Sequence, residues 1–411
     1  SLVSSLDHQI MLAESYFYFL NFFSFVSSSD PELSMTVMIQ RWGYPVEQHE
    51  VTTEDGYILT VFRLQHGVNS SDSLYNRPPI IMDHSLLCDS SEYVMNPPQS
   101  SPAMELADAG FDVFLMNHRG STYSRKHRDF NKSDPRFWKF TIDEHAKYDN
   151  PAVIDYVLNV TGEKSLYWLG HSQGAVVGFM TIAERPEYNH KIRSLIQIAP
   201  ATTAHAAKGF WRGLFVIYEL FKPLHDIYRS SIGSHEVGMG DRTIPQMVMH
   251  WFCATPYLDQ VCKSSMYFGL GYPSNTFNCS RWPVYVTHLP ASTSTWNLLH
   301  WGQLSTRHKL EHFDHNPDEN LARYGQVTAP EYDLSRVEAP VHIFWSSADW
   351  LATEHDLEDL MELLRKDIIK GLYEVPEYNH LDFVAATDNA EKVFNRIITI
   401  VRKQEEEMCA Q

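Results

Sequence analysis

Gly170-His171-Ser172-Gln173-Gly174 sets a serine between two glycines, each two residues away. The pentapeptide directly follows the apolar run 165–169 and opens the helical run that begins Ala175-Val176-Val177-Gly178. A strand, this spacing and a helix are the setting of a nucleophile elbow, a strained turn that projects a Ser hydroxyl where the backbone passes too close for flanking side chains. A bare match to the motif could be a tight turn and nothing more; the strand before it and the helix after it favour a nucleophile. Ser attacks poorly at its own pKa, so a neutral imidazole must take its proton and a carboxylate must hold that imidazole. The chemistry to look for is acyl transfer through a covalent serine intermediate.

On this scaffold the chain order is Ser, then acid, then His. Asp349, in Ser346-Ser347-Ala348-Asp349-Trp350, lies just past the apolar run 341–345, at the strand end where an orienting carboxylate belongs. His380, in Tyr378-Asn379-His380-Leu381-Asp382-Phe383, follows the run 371–375 and precedes the final helical segment. Asp349 could instead cap the next helix, although Thr353 is better placed for that. Asp356 and Asp382 are alternative acids, weighted here as surface or outer-sphere charges. Among the late histidines, His342 falls within a strand, His355 on a helix, and His308, His312 and His315 in an irregular block, which leaves His380 with the right topology.

The elements that must hold these residues are legible as patterns. Residues 46–53 alternate, Asp55-Gly56 supplies a hairpin turn, and 57–64 continue as a second strand. Short apolar runs then recur at 79–82, 111–116, 165–169, 195–199, 341–345 and 371–375, with helical spacing at 102–109, 144–160, 173–183, 354–366 and 389–404. Near-continuous apolar strands alternating with helices imply an α/β fold with a mostly parallel sheet covered by helices on both faces. The rhythm breaks between 200 and 340. We expect a core of residues 31–200 and 340–411, with 201–339 inserted over the sheet as a cap or lid. Inside that block, Phe210, Trp211, Leu214, Phe215, Ile217, Tyr218, Leu220 and Phe221 form an apolar stretch that could serve as core, as lid, or as both.

Composition closes off other classes. Acidic side chains number 51 against 33 basic, a formal charge of −18, which leaves no basic surplus to neutralise phosphates and argues against nucleic-acid binding. The 21 histidines would carry the chain from −18 to +3 if all were protonated, so mild acid would remove most of its self-repulsion. The apolar run 16–26 is shorter than the roughly 18 residues a membrane-spanning helix needs, but fits a signal-peptide core of about 7–15. Because Glu14 precedes it and no basic segment does, residues 1–30 read either as a signal-like segment or as a disordered N-terminus, and lie outside the fold in both readings. Asn69, Asn131, Asn159 and Asn278 head glycosylation tripeptides. Cys253 and Cys262, nine apart, could close a single disulfide, while Cys88 reads as a packing residue and Cys409 sits on a charged tail. No CxxC pair exists, and ester chemistry at a Ser needs no metal, so neither metal nor cofactor is expected.

Further segments make a resemblance specific: Tyr44-Pro45 and the hairpin after it, His84-Ser85-Leu86-Leu87, Asn117-His118-Arg119-Gly120-Ser121-Thr122, Phe137-Trp138-Lys139-Phe140 and Asp143-Glu144-His145-Ala146-Lys147-Tyr148-Asp149. The Ser172 pentapeptide, Asp349-Trp350-Leu351-Ala352 and Asn379-His380-Leu381-Asp382-Phe383 complete the series. From about residue 35 to 401 the chain resembles the acid lipases, gastric and lysosomal, of the α/β-hydrolase superfamily. The resemblance implies Ser172 as nucleophile, His380 as general base and then acid, and Asp349 as the group holding the imidazole tautomer. It further implies oxyanion-hole amides from Leu86 and Gln173, a cap disulfide Cys253–Cys262, a neutral-lipid substrate (triacylglycerol or sterol ester) met at a lipid–water interface at acid pH, and a secreted or lysosomal location. Two departures stand out. The family usually has Gly where this chain has Ser85, which would strain the loop if a positive φ were needed there. The family's free cap thiol is also replaced, near Leu270, while Cys279 falls inside the Asn278 tripeptide. Two rival readings remain: a lipid carrier that kept the fold but lost turnover through Ser85, and an esterase or thioesterase for soluble acyl groups.

Overall fold

The computed structural model describes residues 34–68, 77–220, 235–238, 253, 255, 258–272 and 274–410. The signal-like run, Asn69 and Phe221 lie outside them. A first helix, α1 (Met35–Arg41), leads into the hairpin β1 (Glu47–Thr52) and β2 (Tyr57–Leu64), paired antiparallel from Glu47↔Arg63 to Thr52↔Ile58. Then follow β3 (Pro79–Asp83), α2 (Pro102–Asp108), β4 (Asp112–Leu115), the short β5 (Lys126–His127), α3 (Asn150–Thr161), β6 (Leu166–His171), α4 (Gln173–Glu184) and β7 (Ile192–Ile198). The sheet runs β1-β2-β4-β3-β6-β7-β10-β11, with β5 on β2, where β10 is Val341–Trp345 and β11 is Ile369–Glu374. From β4 through β11 every pairing is parallel. This is the antiparallel start and parallel continuation that the sequence pattern implies.

Burial explains the pattern. Every residue of β3, β4 and β6 is buried, so both faces of the sheet centre are covered and the strands read as unbroken apolar runs. The edge strands β1 and β11 alternate between more and less buried positions, as edges facing partial solvent do. Between β7 and β10 the chain makes α5 (Gly209–Leu220), β8 (Glu236–Val237), α6 (Leu258–Leu270), α7 (Trp282–His288), β9 (Thr293–Ser294), α8 (Thr295–Arg307) and α9 (Pro317–Tyr324). Then α10 (Glu354–Leu363) lies between β10 and β11, and α11 (Asn395–Cys409) ends the fold. The α10 pattern was expected to reach residue 366; the helix stops at Leu363, and Lys366–Ile368 turn instead into β11.

The ends of β3 and β4 meet a buried charge cluster. Arg119 is 1% exposed, donates to Asp149 Oδ1 at 2.8 Å and to Asp55 at 2.6 and 2.9 Å, and lies 3.9 Å over the Tyr57 ring. It ties the hairpin turn to the wide π-type turn His145–Asp149 that precedes α3. His118 Nε2 sits 2.7 Å from Asp83 Oδ1, with its ring stacked on His145 at 4.2 Å. Burial alone would lower the His118 pKa, but the Asp83 carboxylate, then Asp149, push it up to about 9. Burial and the His118 charge hold His145 well below the usual range, so it stays neutral.

A histidine raised in this way stabilises the fold fully below its unfolded value near 6.5, and that contribution fades as pH climbs towards 9. Urea unfolding is therefore expected to lose stability on the order of 3 kcal/mol between pH 6.5 and 9 through this group. His118→Asn should be less stable at pH 5 and flatter across that window; an equal slope in both proteins contradicts a buried imidazolium.

Candidate active site

β6 runs straight into Ser172, which leaves the strand at φ 55°, ψ −116°. That conformation is costly for a residue with a Cβ and persists where the surroundings impose it. The surroundings are backbone. A Cβ on Gly170 would sit 2.5 Å from Ala175 N, and one on Gly174 would sit 2.5 Å from Asp83 O at the end of β3. The two glycines of the pentapeptide let α4 start against the sheet, and the turn aims Ser172 towards the loop after β11.

Three side chains from three strand ends meet there. His380 Nε2 is 2.7 Å from Ser172 Oγ, and His380 Nδ1 is 2.7 Å from Asp349 Oδ2. Asp349 Oδ1 accepts from the amides of Leu351 at 2.7 Å and Ala352 at 3.0 Å, so the carboxylate is fixed from both sides. A carboxylate can only accept, which places the proton on Nδ1 of His380 and leaves Nε2 to accept from the serine hydroxyl. All three side chains are buried.

The rival acids are elsewhere. Asp356 accepts from Thr203 N and Ala204 N and forms a capping box with Thr353, the N-cap of α10. Asp382 accepts from Asn379 N at 2.8 Å and Ser274 N at 2.9 Å, and burial pushes its carboxyl up to about 6. Of the two expectations, surface or outer-sphere charge, the surface one needs correction: both are fully buried, and each binds a loop through backbone amides. His342 bonds Tyr373, His355 is exposed beside Glu358, and His308 ends α8 in a left-handed conformation. His312 and His315 lie in the segment that returns to β10, where His312 stacks on Tyr332.

Leu86 is half-buried on the loop after β3, and Gln173 opens α4, where its amide precedes any helical acceptor. The Gln173 side chain shows what sequence reasoning missed. Its Oε1 accepts from Asn297 Nδ2 at 3.1 Å and from Trp301 Nε1 at 2.8 Å, both on α8. The i,i+4 spacing of Asn297 and Trp301 puts them on one helix face, but nothing local to the chain ties that face to Gln173. Ser85 does not hold a positive φ; in that loop Leu87 does, at 56°, and its carbonyl accepts from Ala291 N. The condition under which Ser85 would strain the loop, a positive φ at that position, is therefore not met.

Among the described residues, His118, His145 and Asp149 are the group whose ligand atoms lie close enough for a metal, within 4.8 Å. Both His118 nitrogens already face carboxylates, Arg119 occupies Asp149, and the two rings stack 10° from parallel, so their lone pairs cannot converge on one ion. The cluster is a charge network. Cys253 and Cys262 are joined by a disulfide, Cys88 is a half-buried free thiol, and Cys279 and Cys409 are free and exposed. Asn131 and Asn159 are exposed, whereas Asn278 is half-buried and donates to Asn96.

The fold and the elbow define an α/β-hydrolase. Residues 35–97 match the partial α/β-hydrolase lipase region, and residues 78–218 match the α/β hydrolase fold. A gastric triacylglycerol lipase of Bos taurus is 37% identical over 91% of this chain and 93% of its own length. Its Homo sapiens counterpart is 35% identical over 90% and 92%, and lipase lipl-1 of Caenorhabditis elegans is 37% identical over 92% and 94%. The chain belongs to the acid lipase family, that of the gastric lipases. The solved structure of DcsB in complex with its substrate analogue covers 88% of this chain and 100% of its own at TM-score 0.52; at 13% identity it speaks for the fold alone.

Gly174→Ala is expected to lower unfolding stability by about 1–3 kcal/mol, because the new methyl must push Asp83 backbone aside. It should also slow labelling of Ser172 by a fluorophosphonate at least about tenfold, a 1.4 kcal/mol loss of alignment. Unchanged labelling and an unchanged urea midpoint would contradict the close approach.

Proposed function

We propose that this protein hydrolyses the carboxylic esters of neutral lipids through a Ser172 acyl-enzyme. It is a carboxylic ester hydrolase of the lipase kind, and the observation that carries the mechanism is the continuous chain Ser172–His380–Asp349 with both links at 2.7 Å. Ser172 Oγ attacks the ester carbonyl while His380 Nε2 takes its proton. The Leu86 and Gln173 amides receive the developing oxyanion, an arrangement in which each donor is worth about 10²–10³ in turnover. His380 then gives the proton to the departing alcohol, and water repeats the sequence on the acyl-enzyme. Asp349 keeps the imidazole in the required tautomer and stabilises its charged form.

Neutral-lipid substrates are favoured by two features. Among the relatives that match over nine-tenths of the chain, those of Bos taurus, Mus musculus and Homo sapiens are triacylglycerol lipases by name. The described residues of the inserted block 201–339 also present apolar side chains outward as well as inward. α5 buries Phe215 near Trp301 while exposing Phe210 and Ile217, and Phe268 in α6 and Tyr272 just beyond it are exposed as well. Exposed apolar groups of this size suit contact with a lipid–water interface. A cap role for that block is supported by its contact with the base loop, where the Leu270 and Gly271 carbonyls accept from the His380 amide and the Asn379 side chain. No described helix is long and apolar enough to cross a membrane. A secreted or lysosomal location, with sugars on the exposed Asn131 and Asn159, and an acid working range fit the family and the disulfide.

Ser172→Ala and His380→Ala should each cost about 10⁶ in kcat and Asp349→Asn about 10⁴, on the scale of other triads, with the fold retained. Release of fatty acid from emulsified long-chain triacylglycerol, from a sterol ester and from a short soluble ester, measured from pH 4 to pH 8, ranks the substrates. Faster turnover of the soluble ester than of either emulsion would move the assignment to a soluble esterase. Near-wild-type activity in Ser172→Ala would overturn the mechanism.

A further inference from the structure

The Gln173 amide is held from two sides. Ser172 O accepts from Ala175 N at 3.1 Å and from Val176 N at 3.3 Å, so the peptide joining Ser172 to Gln173 has its oxygen turned into α4. In a trans peptide the N–H points the opposite way, here out of the start of the helix. The second hold is on the Gln173 side chain, and it comes from α8, a helix of the inserted block. Trp301 Nε1 can only donate, so the carboxamide atom 2.8 Å from it is the oxygen. The Asn297 atom 3.1 Å from that oxygen must then be Nδ2, which also donates to Thr293 Oγ1 at 3.0 Å. All three side chains are buried. α8 is in turn fixed on the core: its N-cap Ser294 accepts from Asn297 N at 2.9 Å and donates to Phe140 O at 2.5 Å. The Trp301 ring lies 6.4 Å from that of Phe215 on α5 and 26° from parallel with it.

We propose that Trp301 and Asn297 are positioning residues for the oxyanion hole: their side-chain N–H groups grip the Gln173 carboxamide and so fix the aim of the Gln173 amide, which makes the hole a joint product of the elbow and the inserted block. The inference rests on the reading of that amide as an oxyanion donor. Such a donor works by standing in place before the charge develops. A backbone amide at a helix start makes no bond within the helix, so it has little restraint of its own. The residue before it sits at φ 55°, and slack at Gln173 would let that strained turn relax and swing the donor away. A buried carboxamide oxygen is costly to leave unpaired, so the two N–H groups keep the side chain on α8. Both residues act through Gln173. Neither their roles nor the direction of either hydrogen bond depends on a protonation state.

The full-length protein is tested as Trp301→Phe, which removes the indole N–H and keeps a ring beside Phe215, and as Gln173→Met, which keeps the side-chain length and removes the acceptor. Active sites are counted by fluorophosphonate labelling taken to completion; labelling and turnover that vanish in Ser172→Ala establish the nucleophile independently. Per active site, kcat on a long-chain ester should fall about 3- to 10-fold in Trp301→Phe, the scale of one neutral hydrogen bond, with KM unchanged. Asn297→Ala should act in the same direction. A long-chain trifluoromethyl ketone reads the hole directly: Ser172 Oγ bonds to its carbonyl carbon, the hydroxyl proton passes to His380, and the carbonyl pair becomes an oxyanion facing the donors. Its inhibition constant should rise by the factor that kcat falls, whereas that of an ether of equal chain length, which forms no oxyanion, should not move. Gln173→Met should lose more than Trp301→Phe, and combining the two should cost no more than Gln173→Met alone, since the partner is already gone. Unchanged kcat and ketone inhibition, equal weakening of ketone and ether, a loss confined to KM or to active-site content, or full additivity of the two substitutions would each overturn the proposal while leaving Ser172 as nucleophile.

Discussion

A serine can be lifted out of a strand-to-helix turn only where the backbone adopts a conformation that L-residues avoid, and where the neighbouring residues have no side chain to collide with the next strand. Ser172 at φ 55° meets the first demand, and Gly170 and Gly174 meet the second. Much of the rest follows from this one crowded point. β3 must end at Asp83 for α4 to start beside it, and β6 must be buried on both faces to hold the turn rigid. The loops after β10 and β11 must then come to the same end of the sheet with an acid and a base. At the parallel centre of a sheet, strand ends converge on one edge, so residues distant in sequence arrive together without special connections.

Around that point the molecule spends buried charge freely. Arg119, His118, Asp149, Asp83 and Asp55 form one network under the hairpin, and Glu92 forms a second with His171. Breaking a buried pair by removing one partner is strongly destabilising even where the pair itself adds little. Such networks fix the geometry of loops that apolar packing alone would leave free. The two networks flank the Ser85–Leu87 loop, one of the two proposed sources of oxyanion donors.

How much was legible in the sequence depends on how local each signal is. The elbow, Asp349 and His380 each carry a strand before and a loop or helix after, so periodicity and chain order suffice to place them. The antiparallel hairpin and the mostly parallel sheet were readable from the same rhythm, whereas the order in which the strands lie, with β4 between β2 and β3, carries no local signal. The contact of Gln173 with Asn297 and Trp301 was not, since it joins residues more than 120 apart through a helix whose own pattern names no partner. For Asp356 and Asp382 a surface position stayed open beside an outer-sphere one, because a carboxylate that binds backbone amides looks no different, in sequence, from one that meets water. Ser85 was read through the backbone, for the strain it would bring if a positive φ were needed; its hydroxyl instead meets a ring nitrogen of His171, 86 residues on, a contact no local pattern announces.

The triad also has a temporal consequence. Its nucleophile is 208 residues ahead of its base, and the acid is 31 before that base. Gln173, beside the nucleophile, is anchored by a helix whose nearer contact is 124 residues further on. A chain made from its N-terminus therefore displays a finished elbow long before anything can activate it. Synthesis runs at about 5–20 residues per second, so the nascent protein carries an inert serine for on the order of ten seconds or more. Hydrolytic power arrives only when β11 and the His380 loop have left the ribosome, and a truncated chain lacking that stretch would have the whole nucleophile turn and no means of using it.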